Sequence, residues 1–343
     1  MATETNKRLS YIDILKVIAA FMIVMLHVSA SYIDMSNASP HGLEYFFNSL
    51  TRIGLPIFFM ISGALLLRDE YHFKLKRKFF FILKIYIFWS AFYVLVQQVA
   101  YLKSGNPLLS LPEMIVQWIR GPYHFWYLAM LLGFYLLMPL FSKLKDFQTL
   151  SLLIGLSFLV IYVIQPFSYL LPDCINTFIK TMIIFRPDWP VFYFFLGAWI
   201  HRFPLIKKFF YMAWLSIFSG LFLHVYQLYH VSQFDQILPP DPFNLYAQLL
   251  TAAGLFYLAR YLSQNIESGK LLRSLSKGTL HIYITSAFFI YLYEWFIKAS
   301  WDALVPSASI TILIWSIVVF ICSYTASILV MKKNQWLQSR PRH

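Results

Sequence analysis

Apolar runs, each about as long as a membrane-crossing helix, recur along the whole chain and are separated by short polar connections. A hydrocarbon layer about 30 Å thick takes roughly 20 apolar residues per helix. Ten runs approach that length, near residues 11–33, 50–68, 79–102, 125–142, 148–168, 190–204, 209–230, 243–262, 280–298 and 307–331. None shows the strict alternation of a membrane barrel strand, and hydrocarbon offers no partner for a free N–H or C=O, so each run is predicted to be helical. The expected fold class is all-α integral membrane, a bundle of about ten transmembrane helices forming a single domain over residues 1–343. The longest external connections, 34–49, 103–124 and 169–189, are too short to be domains, which puts any chemistry in or beside the membrane. Within the second, residues 111–121 mix Met114, Ile115 and Trp118 with Glu113 and Arg120, the pattern of an interfacial or re-entrant helix or of a surface loop.

Composition supports that reading. Only 13% of the 343 residues are charged and 59% are hydrophobic, too little charge to clothe a soluble surface, so lipid must cover much of the chain. The formal charge of +13 follows from where the cations fall. Of 28 Lys and Arg, with those near a span end counted in the adjoining connection, 20 lie in the N-terminal tail, the even-numbered connections and the C-terminal tail, 6 in the odd-numbered connections and 2, Lys16 and Lys84, inside spans. By the positive-inside rule both termini are expected to be cytoplasmic, and no nucleic acid is expected as a partner. The first span carries a lysine and a histidine and has no small-residue cleavage site behind it, so it reads as a retained helix, not a signal peptide. Cys174 and Cys322 supply neither a disulfide framework nor metal-ligand spacing, and no metal is expected.

Ionisable groups inside spans cost several kcal/mol in hydrocarbon, so they are the first candidates for function. The first span, YIDILKVIAAFMIVMLHVSASYI, carries Asp13, Lys16 and His27. Eleven helical steps bring His27 back to within about 20° of Lys16 while rising about 16 Å, and Asp13 lies within roughly 40° of His27, so one polar stripe runs along the helix. A histidine there is suited to taking a proton from a hydroxyl, or is simply a packed, hydrogen-bonded residue. Lys16 either meets a phosphate or carboxylate or snorkels to the interface. Asp34, seven residues beyond His27, falls on the same side if the helix continues. The third span opens with KLKRKFFFILK, placing Lys74, Lys76, Arg77 and Lys78 at the membrane surface and Lys84 one to two turns deeper. Anionic lipid accounts for such a cluster, and so does a nucleotide-like acyl donor whose phosphates need several cations.

Together these segments resemble the membrane-bound acyltransferase 3 family. That family shows Arg or Lys, ten residues, then His, preceded by an Asp, and Asp13, Lys16 and His27 match it. GLPIFFMISGALLL over residues 54–67 resembles the family's V-P-x-F-F-x-x-S-G segment through Pro56, Phe58, Phe59, Ser62 and Gly63. YHFWYLAMLLGFYLLMPLF over residues 123–141 is similar to H-x-W-F-L…Y-L-x-x-P, and FYFFLGAWI from Phe192 to F-x-x-G-x-x-I. The likeness runs through the chain and is most specific in the first 140 residues. Near the ninth span, where many members read S-x-G-I-Y-L-x-H, this chain reads TLHIYITS, with His281 at the glycine position and Ser286 at the histidine position.

The resemblance implies an O-acyltransferase in the cytoplasmic (inner) membrane of a bacterial cell, moving an acyl group, acetyl from acetyl-CoA, to a hydroxyl of a surface polysaccharide or lipid-linked glycan. Length and the lack of an added soluble domain place it nearest the stand-alone type, including that acting on enterobacterial common antigen. His27, with Lys16 and Asp13, is then expected to be catalytic, and Lys16, Lys76, Arg77 and Lys84 to bind the donor phosphates. On the outer side Arg52, Glu113, Arg120, His124 and Trp126 are expected around the acceptor entrance, with rings available for stacking on sugars. His27 either activates the acceptor hydroxyl or relays the acyl group covalently. A polar stripe through a bundle equally fits an exporter or flippase for a polysaccharide or its lipid carrier. No H-E-x-x-H, G-x-S-x-G or Walker-type run is present.

Overall fold

The computed structural model describes residues 9–33, 43–67, 75–144, 146–166, 172, 189–234 and 242–338, with the backbone alone at 228–234, 242–243 and 332–338. Asp34 and Cys174 lie outside them. Every described regular element is helical. Helix occupies part of each of the ten predicted runs, but seven helical stretches are long and apolar enough to cross a membrane, or eight if one bent pair counts as a span. Two runs fall short for different reasons. Trp189–Arg202 has 14 residues, and Pro242–Leu262 is diluted by Asn244, Gln248, Thr251 and Arg260.

The chain divides into two compact units, residues 1–64 with 146–343, and residues 65–145. In the first, α1 (Ser10–Ala30) is the central helix. It packs against α2 (Leu43–Thr51), α10 (Pro242–Leu262), α11 (Lys270–Phe296) and α13 (Ala308–Gln338). Leu15, Ala19, Ala20, Ile23, Val24 and Val28 are almost fully enclosed, which is why a polar residue on this helix faces protein more than lipid. The second predicted run breaks at Arg52 and Ile53, separating α2 from α3 (Gly54–Leu66). The remaining helices of this unit are α7 (Phe147–Phe158), α8 (Trp189–Arg202), α9 (Lys207–Phe234) and the short α12 (Lys298–Leu304). α9 pairs with α10, and α7 with α8.

In lipid, helices gain little hydrophobic free energy by meeting one another, so small residues and interhelical hydrogen bonds hold them together. The crossing of α3 and α8 shows this reciprocally. A Cβ on Gly63 would lie 1.7 Å from the Phe194 carbonyl oxygen, and one on Gly197 would lie 2.0 Å from that of Met60. Both glycines belong to the family-like segments, whose likeness here is a packing requirement. α8 is closed at its end by Arg260, whose Nη1 donates to the carbonyls of Ile200 (2.7 Å) and Phe203 (2.5 Å). A 67° bend at Ile297 separates α11 from α12.

The second unit contains α4 (Leu75–Lys103), α5 (Leu111–Arg120) and α6 (Trp126–Phe141). The stretch expected to be amphipathic at 111–121 is the helix α5 and buries none of its residues. Ser110 and Glu113 start it, the Ser110 N–H donating to Glu113 Oε2 at 2.8 Å. Gly121 stops it at φ +73°, a conformation L side chains avoid. Two hydrogen bonds tie α5 to α4. Tyr86 Oη donates to the Arg120 carbonyl (2.7 Å) and Trp118 Nε1 to the Ile87 carbonyl (2.9 Å).

Candidate functional site

α1 carries polar groups at both ends, held in different ways. At its N-terminal end Asp13 is 3% exposed. One carboxylate oxygen accepts the Ser268 hydroxyl at 2.7 Å and the other the Ser276 hydroxyl at 2.5 Å. Ser10 Oγ donates to the Ile266 carbonyl, and the Tyr11 hydroxyl lies 2.7 Å from His201 Nδ1. Partners from the 263–269 turn, α8 and α11 therefore fasten this end. Asp13, expected to act with Lys16 and His27, lies three residues from Lys16 and fourteen from His27, about 21 Å along a straight helix. Its two serine bonds tie α1 to the 263–269 turn and to α11.

Lys16 and His27 are both half-buried on α1, about 16 Å apart along its axis. Next to His27, α2 docks through Asn48. The Asn48 amide donates to the Leu26 carbonyl (3.4 Å) and to Ser29 Oγ (3.1 Å), one residue before and two after His27 in sequence. Its own oxygen accepts from Arg52, Nε at 3.2 Å and Nη2 at 3.0 Å. The structure thus brings Arg52, one of the expected acceptor residues, to the helix turn that carries His27, through an asparagine that sequence reasoning did not single out. Arg52 is exposed, so its remaining guanidinium N–H groups can meet an oxygen-bearing ligand.

The next residue joins α2 to α9. Ser49 Oγ donates to Gln227 Oε1 (3.0 Å), and since a hydroxyl has one hydrogen, His224 Nδ1 must donate to Ser49 (2.8 Å). His224 is fully buried. Of the late family-like stretch, Ser286 is 1% exposed and returns its hydroxyl to the Tyr283 carbonyl at 3.1 Å, so it does not stand in for a histidine side chain.

The other expected residues belong to the second unit. Lys76, Arg77 and Lys84 are exposed on α4, the first and last about 12 Å apart along the helix. Their ammonium and guanidinium groups are free to meet phosphate oxygens from solvent or lipid headgroups. Arg120 ends α5 and is exposed, and Trp126 starts α6, also exposed. Glu113, expected near the acceptor entrance, is bonded to Ser110 at the start of α5, where it caps the helix. His124 is 3% exposed, its ring packed edge-on against Tyr93 at 5.0 Å and Phe125 at 4.8 Å between centroids. Within each unit, then, one residue set faces outward and another is packed away.

A family model described as an acyltransferase domain, the acyltransferase 3 model, matches residues 9–332. No curated protein and no solved structure matches the chain.

Proposed function

The chain belongs to the acyltransferase 3 family, and on that premise we propose that it takes an acetyl group from acetyl-CoA on the cytoplasmic side and transfers it to a hydroxyl of a surface polysaccharide or lipid-linked glycan. That it is a multi-pass membrane protein of an acyl-transferring family rests on the match over residues 9–332 and on its seven to eight span-length apolar helices. That match carries the reading, because it encloses α1 with His27.

In the proposed reaction the acceptor hydroxyl oxygen attacks the thioester carbonyl carbon. The C–S bond breaks and coenzyme A leaves as the thiolate, while the hydroxyl proton passes to the His27 imidazole and from there to the thiolate. Lys16 meets a donor oxygen at the cytoplasmic end of α1, with Lys76, Arg77 and Lys84 as the cations for the phosphates. Arg52, held by Asn48, orients the acceptor beside His27; of the acceptor residues expected in the second unit, Arg120 and Trp126 are exposed and available to bind a sugar, and His124 is packed away. Asp13 positions α1. In the covalent variant an imidazole nitrogen attacks the thioester carbonyl and expels coenzyme A as the thiolate, and the acceptor hydroxyl oxygen then attacks the acyl-histidine, freeing the imidazole as its proton passes to the released nitrogen.

The test is acetyl-CoA binding to the detergent-purified chain by calorimetry, followed by acetyl transfer to a lipid-linked glycan fraction. Binding with a Kd between about 1 μM and 1 mM, and transfer dependent on it, are expected. Mass spectrometry of the quenched enzyme separates the variants, since an acetyl group on the peptide containing His27 requires the covalent route. Absence of acetyl-CoA binding contradicts the reading and favours a polysaccharide or lipid-carrier exporter.

A further inference from the structure

Beyond the C-terminal end of α1 a second polar cluster forms around the bend between α11 and α12. Tyr32 Oη donates to Asp302 Oδ1 at 2.8 Å. Because that hydroxyl proton is used, the hydrogen bond between Tyr32 and Tyr293 has Tyr293 as its donor. Lys298 Nζ donates to the Ser31 carbonyl at 2.6 Å and sits 4.4 Å from the centroid of the Tyr32 ring. Tyr293 lies against Trp315 with centroids 4.1 Å apart, and Trp301 meets Trp315 edge-on at 5.5 Å. Tyr32, Trp301 and Asp302 are half-buried, so the cluster is open on one side.

The geometry points to a saccharide-binding subsite formed by Tyr32, Lys298, Trp301, Asp302 and Trp315, which receives a neutral sugar ring of the acceptor. Three features select that ligand. Among the described residues Asp302 accepts only the Tyr32 hydroxyl, and a carboxylate has lone pairs for further donors. Trp301, the residue before Asp302, is half-buried, and its Nε1 donates to Thr311 Oγ1 at 3.1 Å, which fixes the indole while Trp315 backs it. A hydroxyl-bearing ring supplies donors to the carboxylate and a C–H face to the Trp301 indole. A cationic headgroup would also suit a carboxylate among rings, but Lys298 already fills the cation position over Tyr32 and repels a second positive charge. A phosphate would face Asp302. Uncharged polyol chemistry remains. The bend of 67° places the Trp301 and Asp302 helix across the end of α11 instead of along it.

This subsite rests on the reading of the acceptor as a glycan, and its test is arranged to keep the two apart. Saturation-transfer NMR with the purified full chain would use methyl glycosides and short oligosaccharides of glucose, galactose, mannose and N-acetylglucosamine. At least one of these sugars is expected to receive saturation from the wild type. Asp302→Asn and Trp301→Ala are each expected to weaken binding by about tenfold or more. Trp301→Phe, which keeps a ring, serves where Trp301→Ala fails to fold, and melting curves confirm folding. Sugar binding that survives both Asp302→Asn and Trp301→Phe overturns the subsite, as does a wild type that binds none of the probes. The acyl-transfer reading is scored separately with His27→Ala, which is expected to lose transfer while the sugar still receives saturation from it.

Discussion

The two ends of α1 carry similar polar residues and use them in opposite ways. At the N-terminal end Asp13 is turned inward and accepts from two serines that are 255 and 263 residues away in sequence. A hydrogen bond to a charged group contributes about 1.5–3 kcal/mol, against roughly 0.6 kcal/mol for an average interhelical bond in a membrane protein. That end is therefore a fastening for the helix. At the C-terminal end the groups are half-open, and Asn48 ties Arg52 to the turn around His27 without burying the guanidinium. The contrast shows that a polar stripe on one helix need not be one site. Its buried, satisfied half fixes the helix so that its open half can be placed to within the tolerance chemistry requires.

Breaking the open half should cost activity and leave the fold intact. His27→Ala is expected to lower acyl transfer by about 10²–10⁴-fold with the melting temperature unchanged, read from initial rates and thermal unfolding of the same preparation. Breaking the fastened half should do the reverse. The double substitution Ser268→Ala and Ser276→Ala removes both hydroxyl donors from Asp13, and is expected to destabilise the protein by about 3 kcal/mol. Denaturant or thermal titration in detergent checks the loss, and transfer per folded molecule should change less than about twofold. If transfer instead collapses at unchanged stability, Asp13 belongs with the chemistry after all.

Asn48 sits between these extremes. Asn48→Ala frees Arg52 and Ser29, and a loss of about tenfold in kcat/KM for the acceptor is expected, corresponding to roughly 1.4 kcal/mol, with KM for acetyl-CoA little altered. The smallest effect is expected at Ser286. Its hydroxyl serves only the Tyr283 carbonyl, so Ser286→Ala should leave transfer within about twofold in the same assay, although many relatives carry a histidine there.

Much of this contrast was legible in sequence, and the rest was hidden for physical reasons. Helical periodicity and an eleven-residue spacing placed Lys16 and His27 on one side of a helix, and the apolar runs located the helices themselves. Periodicity does not report which polar residue finds a partner across the bundle. The serines that bind Asp13 come from a distant turn and helix, which no pattern on the first span announces. Glu113 looked like an acceptor residue, yet the Ser110 to Glu113 spacing is a capping-box signature that could have been recognised. Asn48 lay just outside an apolar run, where polar residues are ordinary, whereas His224 lay inside the 209–230 run and could have been singled out. Seven to eight of the ten runs form span-length apolar helices among the described residues; α8 has 14 described residues, and the polar positions of α10 lower its apolarity. The clustering of Tyr32, Tyr293 and Asp302 depends on a bend that no local pattern announces.

The most direct test of the central claim is mass spectrometry of surface glycans from cells carrying the wild-type gene, no gene, or the His27→Ala gene expressed at equal level. The account predicts acetyl esters on a glycan hydroxyl in the wild type and their loss in the other two. Glycan profiles that are the same with and without the gene, or wild-type ester levels in the His27→Ala cells, would contradict it.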